Sequence, residues 1–406
     1  MDQREVQREV KREGMPSWLM FLLAVSCGII VANLYYAQTL VGPISEATGL
    51  SAAAAGLIVT ITQIGYVIGL LFIVPLSDIV ENRKLAVATL AVVVLALLAA
   101  ASAHTASLFL TASFMIGLGA VVAQILVPYA TYLSSAEERG RVVGNVMSGL
   151  LLGIMFARPV ASFVASFLNW QAVFLMSAVI VALLAFGLFI ALPKRQPAPG
   201  LNYGRLIASL GTIVKTTPVL RRRALYQAAL FGAFSLFWTV IPLHLAKAFG
   251  VSQQGIAWFA LAGVGGAVAA PIAGRLADRG WSHKLTGIAM LLAALSFLVA
   301  FLLPSHSTAA LIALVVVAIV LDMAVSGNLV LGQRSIYALG SEARGRLNGL
   351  FMSIFFLGGA VGSSVGGWAY AQGGWELASI VGLLLPVLAF LYYLTEKKSE
   401  SKAAIS

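Results

Sequence analysis

Apolar residues run in twelve long stretches along the chain, roughly 17–42, 51–76, 84–103, 106–133, 142–166, 170–192, 224–248, 252–274, 285–304, 308–336, 346–371 and 375–395. The hydrocarbon core of a bilayer is about 30 Å thick, so a helix needs about 20 mostly apolar residues to cross it. Each stretch meets that length, and the pattern predicts twelve transmembrane helices, numbered here spans 1 to 12. The polar stretches between them are short, except for 193–223. Residues 1–16 are charged and precede a first apolar run too long for a cleaved signal peptide, so span 1 is read as retained.

The cations set the orientation. Every lysine and arginine except Arg158 and Lys247 falls in the N-terminal segment, in the loops after spans 2, 4 and 8, at the end of span 10 and its loop, in segment 193–223, or in the tail. Lys and Arg accumulate on cytoplasmic loops, so both termini are placed inside. Segment 193–223 holds Lys194, Arg195, Arg205, Lys215, Arg221, Arg222 and Arg223 and no acid. The organisation expected is a cytoplasmic N-terminal segment 1–16, a six-helix bundle 17–192, a basic cytoplasmic linker 193–223, a second six-helix bundle 224–395 and a cytoplasmic tail 396–406. Within the linker, PKRQPAPG is a poor helix former, while 204–216 is expected to form a short helix on the inner face.

Composition narrows the class further. Hydrophobic residues make up 60% and charged residues 10%, against about 25% charged in an average soluble domain. That excludes an ordinary soluble enzyme and a disordered chain. The net charge of +11 is a topology signal once its placement is known, not a nucleic-acid footprint. Cys27 is the single cysteine, so no internal disulfide and no cysteine-based zinc or iron–sulfur site is expected. His104, His244, His283 and His306 are scattered; neither metal nor cofactor is expected. Gly117-Leu-Gly119 and Gly263-Val-Gly265-Gly266 lie inside apolar spans and are read as sites of helix–helix approach. Without a Walker-type lysine run, ATP hydrolysis by this chain is not expected.

The chain is duplicated. ERGRVVGNVMSGLLLG from Glu138 matches ARGRLNGLFMSIFFLG from Ala343 without a gap, pairing Arg139 with Arg344, Gly144 with Gly349, Ser148 with Ser353 and Gly153 with Gly358. Leu76 and Asp78 of the span 2–3 loop likewise answer to Leu276 and Asp278 of the span 8–9 loop. Repeated halves of this kind rock against each other around a midplane site.

On these residues the chain resembles the major facilitator superfamily over about 17–395. The family's inner-loop motif is matched well by Gly274-Arg275-Leu276-Ala277-Asp278-Arg279. The first copy, from Val74, is degraded but keeps Asp78, Arg83 and Lys84. The resemblance implies a cytoplasmic latch made by Asp78, Arg83, Lys84, Gly274, Asp278 and Arg279; a tight loop with cations for topology is the plainer alternative. Span 5 keeps Pro159 of the antiporter motif but has Arg158 where that motif has glycine, and Ser113 stands in span 4 where relatives carry an arginine. The stretch Asn33 to Ser51 is similar to bacterial sugar and nucleoside exporters. The implied fold is all-α, with twelve helices in two pseudo-symmetric bundles, the cavity being lined by spans 1, 4, 7 and 10.

Two charges remain inside the spans. A charge at the bilayer centre costs about 2.5–3.5 kcal/mol on insertion scales, so each needs a reason. Asp322 in span 10 is the proton-coupling candidate, since a carboxyl group away from water can take up and release a proton; a structural salt bridge is the alternative. Ser326 and Gln333 share its face. Arg158 in span 5 is a counter-ion candidate, for Asp322 or for an anionic substrate, or a tie to neighbouring carbonyls. Counting residues inward from the outer helix ends separates the two by roughly 9 Å of depth, which does not favour direct pairing. The uncharged cavity candidates are Asn33, Tyr36, Gln38, Gln63, Tyr66, Gln124, Tyr226, Gln227, Trp238, Ser326 and Asn328. Polar groups in lipid also simply bond neighbouring helices. Phe231, Phe234, Phe237 and Trp238 face either lipid or substrate. His244 and Lys247, near the outer end of span 7, are read as interfacial. A lining that mixes amides and aromatic rings suits amphipathic organic solutes.

The reading is a secondary active transporter, not an enzyme, that exports a drug-like compound, sugar or nucleoside by proton antiport and alternating access. Its expected partners are a small-molecule substrate, protons and the lipid bilayer, with no nucleic acid. It is placed as a monomer in a bacterial inner membrane. Proton symport uptake, an uncoupled facilitator and a non-transporting membrane sensor are the alternatives.

Overall fold

The computed structural model describes residues 15–135, 138–195, 202–303, 307–339 and 344–396. The expected N-terminal segment, apart from Met15 and Pro16, and the tail beyond Glu396 lie outside the described residues, as does 196–201 of the proline-rich linker start. Every regular element among the described residues is helical. In chain order they are α1 Ser17–Ala32, α2 Val41–Thr48, α3 Leu57–Phe72, α4 Asn82–Ala101, α5 Ala106–Ala120, α6 Val122–Leu133, α7 Arg139–Phe167, α8 Trp170–Ala191, α9 Tyr203–Thr216, α10 Pro218–Phe249, α11 Gln253–Ala260, α12 Gly265–Asp278, α13 Ser282–Leu302, α14 Thr308–Tyr337 and α15 Arg344–Leu394. Short 3-10 turns at Tyr36–Thr39, Ala52–Ala54, Val74–Asp78 and Leu261–Val264 interrupt or extend the spans.

Among the described residues ten helical segments are long and apolar enough to cross a membrane. The last, Gly345–Leu394, doubles back at Gly373–Gly374, where Gly374 takes φ 62°, and so supplies spans 11 and 12. With α1 as the first span, the twelve expected crossings are all present. The exposed faces are apolar at helical spacing, as on α8 with Leu175, Val179, Leu183, Phe186 and Ile190, which is how a helix meets lipid. Polar caps start several helices: Asn169 accepts from the Ala172 N–H at 2.8 Å and Ser307 from Ala310 at 3.0 Å. The linker helix α9 begins on Asn202, which accepts from the Arg205 N–H, close to the expected 204–216.

The pseudo-symmetry reaches the packing. Gly153 lies against the Gly28 backbone in the first half, and its repeat mate Gly358 against the Ala228 backbone in the second. No side chain fits at either contact, so spans 1 and 5, and spans 7 and 11, meet backbone to backbone. Across the halves, Gly56 and Gly367 bring spans 2 and 11 equally close, and Thr60 Oγ1 donates to the Ala360 carbonyl at 3.1 Å.

Span 1 differs from its expected form. It is not one helix over 17–42 but α1, a 3-10 turn and α2, ending at Thr48. α1 ends at Ala32, and Pro43 falls in the first turn of α2, where a proline is tolerated. It has no N–H to give to the Thr39 carbonyl one turn back, and that carbonyl accepts instead from Gln253 Nε2 at 3.1 Å. The break thus ties span 1 to the start of span 8.

Candidate proton and substrate site

Asp322 sits midway along α14 and is 2% exposed. Its Oδ1 accepts from Trp238 Nε1–H of α10 at 2.8 Å. Its Oδ2 lies 3.7 Å from Nη2 of Arg158, on α7 in the other bundle. The direct pairing that depth counting disfavoured is therefore present. Counting from helix ends treats the helices as upright, whereas membrane helices tilt by about 20° and the arginine side chain reaches along its own helix.

Aromatic rings enclose the guanidinium. Its carbon lies 4.0 Å from the Trp238 ring centroid, 4.9 Å from Phe234 and 5.9 Å from Tyr35, a set of cation–π contacts. Gly263, in the 3-10 break of span 8, closes the remaining side. A Cβ there would stand 2.9 Å from Asp322 Oδ2, 3.3 Å from the Trp238 ring and 3.5 Å from Arg158 Nη1. Among the described residues Arg158 Nε and Nη1 have no hydrogen-bond partner.

Outward of this pair the halves are bonded again. Ser162 Oγ donates to the Gln253 carbonyl at 3.1 Å and Gln253 Nε2 to the Thr39 carbonyl at 3.1 Å, while within the first half Thr39 Oγ1 donates to the Arg158 carbonyl at 3.3 Å. Further inward, Gln63 Nε2 donates to Ser235 Oγ at 2.7 Å across the bundles. Tyr66 packs on Phe356 at 4.5 Å and accepts from Gln124 Nε2 at 3.2 Å. Phe231 stacks with Phe234 and touches Phe355, so the span 7 aromatics face the interior and not lipid; Phe231, Phe234, Phe237 and Trp238 are all buried. On the second half's side, Gln227 Nε2 donates to the Val325 carbonyl and Asn328 Nδ2 to Gln227 Oε1 at 2.7 Å. Ser326 lies over Gly266 of span 8. Gln38 is fully buried with neither amide atom partnered.

Other candidates lie elsewhere. Asn33 accepts from Ser177 of α8 at 2.7 Å and donates to the Ile29 carbonyl, and the Tyr36 hydroxyl also meets Ser177; these two face span 6. Tyr226 belongs to an inner cluster, donating to Glu396 Oε2 at 3.1 Å beside the Arg223–Glu396 ion pair at 3.0 Å. At the inner loops, Asp278 is ion-paired with Arg334 of span 10, whose other amino group donates to the Gly274 carbonyl at 2.5 Å. Arg83 donates to the Phe189 and Leu192 carbonyls at the end of α8. Asp78 feels the charges of Arg195 and Arg346, while Lys84 and Arg279 are exposed. Among the described residues no group of histidine, cysteine or acid side chains is arranged to hold a metal.

Sequence reasoning missed Gly263 and Gln253 as members of this arrangement. For Gln253 a signal existed in Pro43, four residues after the carbonyl it frees. Gly263 looked like any glycine in an apolar span.

A family model described as Major Facilitator Superfamily matches residues 19–234 and 223–406. The uncharacterized transporter YgaY of Escherichia coli O157:H7 is 39% identical over 376 residues, covering 92% of this chain and 94% of that protein. More distant are the inner membrane transport protein YdhP of the same organism, 26% identical over 68% of this chain and 67% of its own length, and the purine ribonucleoside efflux pump NepI of Shigella sonnei, 24% identical over 68% and 70%. A bacterial homologue of the human lysosomal transporter Spinster has the same fold, with TM-score 0.73 at 14% identity, covering 93% of this chain and 96% of that one.

Proposed function

The chain belongs to the Major Facilitator Superfamily, and from that premise we propose that it exports a small organic molecule by proton antiport through alternating access. That it is a multi-pass membrane transporter of small molecules follows from the family; coupling, direction and site residues are the proposal. The observation that carries it is the buried Arg158–Asp322 pair between the two bundles. With the outer ends closed, Arg158 holds the carboxylate ionised and the proton has left. When the bundles rock apart there, spans 5 and 10 separate, Asp322 loses its counter-ion and takes a proton from outside. Closing again returns that proton to the inside while cargo goes the other way. Antiport follows because one site serves proton and cargo in turn.

Around this step, Gln38, Gln63, Tyr66, Gln124, Gln227, Trp238, Ser326 and Asn328 are proposed to line the cargo path. Asp278 with Arg334 and Gly274, and the Asp78–Arg83–Lys84 loop, are proposed to latch the inner face. The division into bundles 17–192 and 224–395 joined by the basic linker 193–223 belongs to the same proposal. Placement in a bacterial inner membrane is supported by the cation distribution and by the name of the relative YdhP. Export is supported by the half-kept antiporter motif of span 5 and by the name of the relative NepI.

The test is proton flux in energised inside-out vesicles, followed by dye quenching while nucleosides, sugars, amphipathic cations and organic acids are added in turn. Substrate-dependent proton leak in the unaltered protein, absent in Asp322→Asn, is the expected result. Leak that survives in Asp322→Asn removes the proton role from Asp322. Cargo that moves together with the proton replaces antiport by symport.

A further inference from the structure

The chemistry around Asp322 narrows the cargo, provided that residue exchanges protons as proposed above. Arg158 and Asp322 are each 2% exposed, and their charges cancel. The other ionisable group within their influence is the Tyr35 phenol from span 1. Among the described residues, spans 8, 9 and 11 bring no ionisable side chain to that depth, and His244 further along span 7 stacks on Trp375 instead. Among the described residues Arg158 Nε and Nη1, Gln63 Oε1 and both amide atoms of Gln38 are buried without hydrogen-bond partners. Trp238 occupies Asp322 Oδ1, whereas Oδ2 faces Arg158 at 3.7 Å, too long for a hydrogen bond.

A net-neutral buried pair receives a further ion badly. A cation meets Arg158, and an anion competes with Asp322; either leaves one charge out of water without a counter-ion. An uncharged molecule avoids both. Its acceptor takes the unpartnered N–H groups of Arg158, its donor goes to Asp322 Oδ2, and a flat ring suits a site walled by the aromatic side chains of Trp238, Phe234 and Tyr35.

We infer that the cargo is uncharged and carries a hydrogen-bond acceptor beside a donor on a flat ring, as a ring lactam or an aromatic carboxamide does, and that it bridges Arg158 and ionised Asp322 in competition with the proton. The sign of coupling is then fixed. Protonating Asp322 removes the cargo's acceptor and strands the charge of Arg158, so cargo binding expels the proton, and by reciprocity the proton weakens cargo binding. An anionic cargo reverses this: it takes over the charge of Asp322, draws a proton in and travels with it. The pH dependence of binding therefore reports the charge class of the cargo.

The experiment is calorimetric binding to the purified full-length protein in nanodiscs at pH 6 and pH 8, with uridine, nicotinamide, benzoate and tetraphenylphosphonium as probes. Saturable binding of uridine or nicotinamide is expected, weaker at the lower pH by up to about tenfold per pH unit if one proton is displaced, with no binding of benzoate. Asp322→Asn leaves Arg158 uncompensated, so benzoate is then expected to bind, and the pH dependence to vanish. Should that variant fail to fold, the charge-balanced Arg158→Gln/Asp322→Asn protein, in which an amide replaces each charged group, is expected to bind the neutral probes more weakly and with no pH dependence. Benzoate binding to the unaltered protein that tightens at pH 6, binding of the phosphonium cation, or silence from both neutral probes overturns the inference. Those results leave the vesicle assay untouched: proton flux that still depends on Asp322 keeps the transporter reading and discards only the cargo class.

Discussion

Asp322 depends on a residue with no side chain. Gly263 lets the span 8 backbone close over the ion pair, and a methyl group there would stand 2.9 Å from Oδ2 with Trp238 and Arg158 on its other sides. None of these is the free end of an exposed chain, so Gly263→Ala must push the carboxylate away from Arg158. Overpacking of this kind costs about 1–3 kcal/mol. The protein is expected to fold with a lowered Tm and to lose substrate-dependent proton flux, which thermal unfolding and the vesicle assay measure separately. Arg158→Ala is a harsher change. It leaves Asp322 buried without a counter-ion, a loss of about 3–5 kcal/mol, and the charge-balanced double variant with Asp322→Asn is expected to recover most of that Tm. If the single and double variants unfold alike, the pair is not what stabilises this depth. Trp238→Phe keeps the ring under Arg158 but removes the only side-chain hydrogen bond given to Asp322 Oδ1 among the described residues; a loss of about 1–3 kcal/mol is expected.

At the scale of the helix, one break and one helix end are held by side chains from elsewhere in the chain. Beyond the break in span 1 the Thr39 carbonyl lacks the N–H that Pro43 cannot give, and Gln253 of the other bundle donates to it instead. Gln253→Ala is therefore expected to loosen the outer closure without unfolding either bundle, seen as faster labelling of a reporter cysteine on the outer side of the cavity; unchanged labelling would mean the tie is incidental. The last helix is held at its inner end. Glu396 meets Arg223 at 3.0 Å, Tyr226 at 3.1 Å and His283 at 3.8 Å, and its side chain is 5% exposed. Removing one partner of so buried a pair costs about 3–5 kcal/mol. Glu396→Ala is expected to lower Tm and to expose the end of span 12 to protease, whereas proton coupling per folded molecule stays as it was, since the cluster lies away from Asp322.

At the scale of the whole molecule, the bundles meet through spans 2 and 11 on the outer side, where Gly56 and Gly367 leave no room for side chains. Gly56→Trp is expected to hold the outer ends apart. Cys27 is the single cysteine and is buried, so Cys27→Ser with Ser235→Cys gives a clean reporter. Its labelling from outside should rise severalfold in the tryptophan variant, and transport should stop. Labelling at the starting level, with transport lost, would point to a damaged fold and not to a trapped one.

Much of this architecture is legible in the order of residues alone. Lipid is a solvent that dictates element type and length, because every backbone polar group must be bonded within its own helix. The twelve spans, the duplicated halves and the linker helix near 204–216 are therefore written locally, in runs of apolar residues and in the repeated motifs. Partnership between helices is not written that way. Whether Arg158 reaches Asp322 depends on the tilt and rotation of spans far apart in the chain, and residue counting placed them at different depths. The same limit explains why Tyr226 joins Glu396 and Asn33 joins Ser177, although both were expected to line the cavity. What the sequence determined by itself is which segments form helices long and apolar enough to cross the membrane, because hydration and hydrogen bonding act on each segment alone. What only the tertiary structure decided is which buried polar groups find one another, because in a medium without water each must be satisfied by whichever neighbour packing brings within reach.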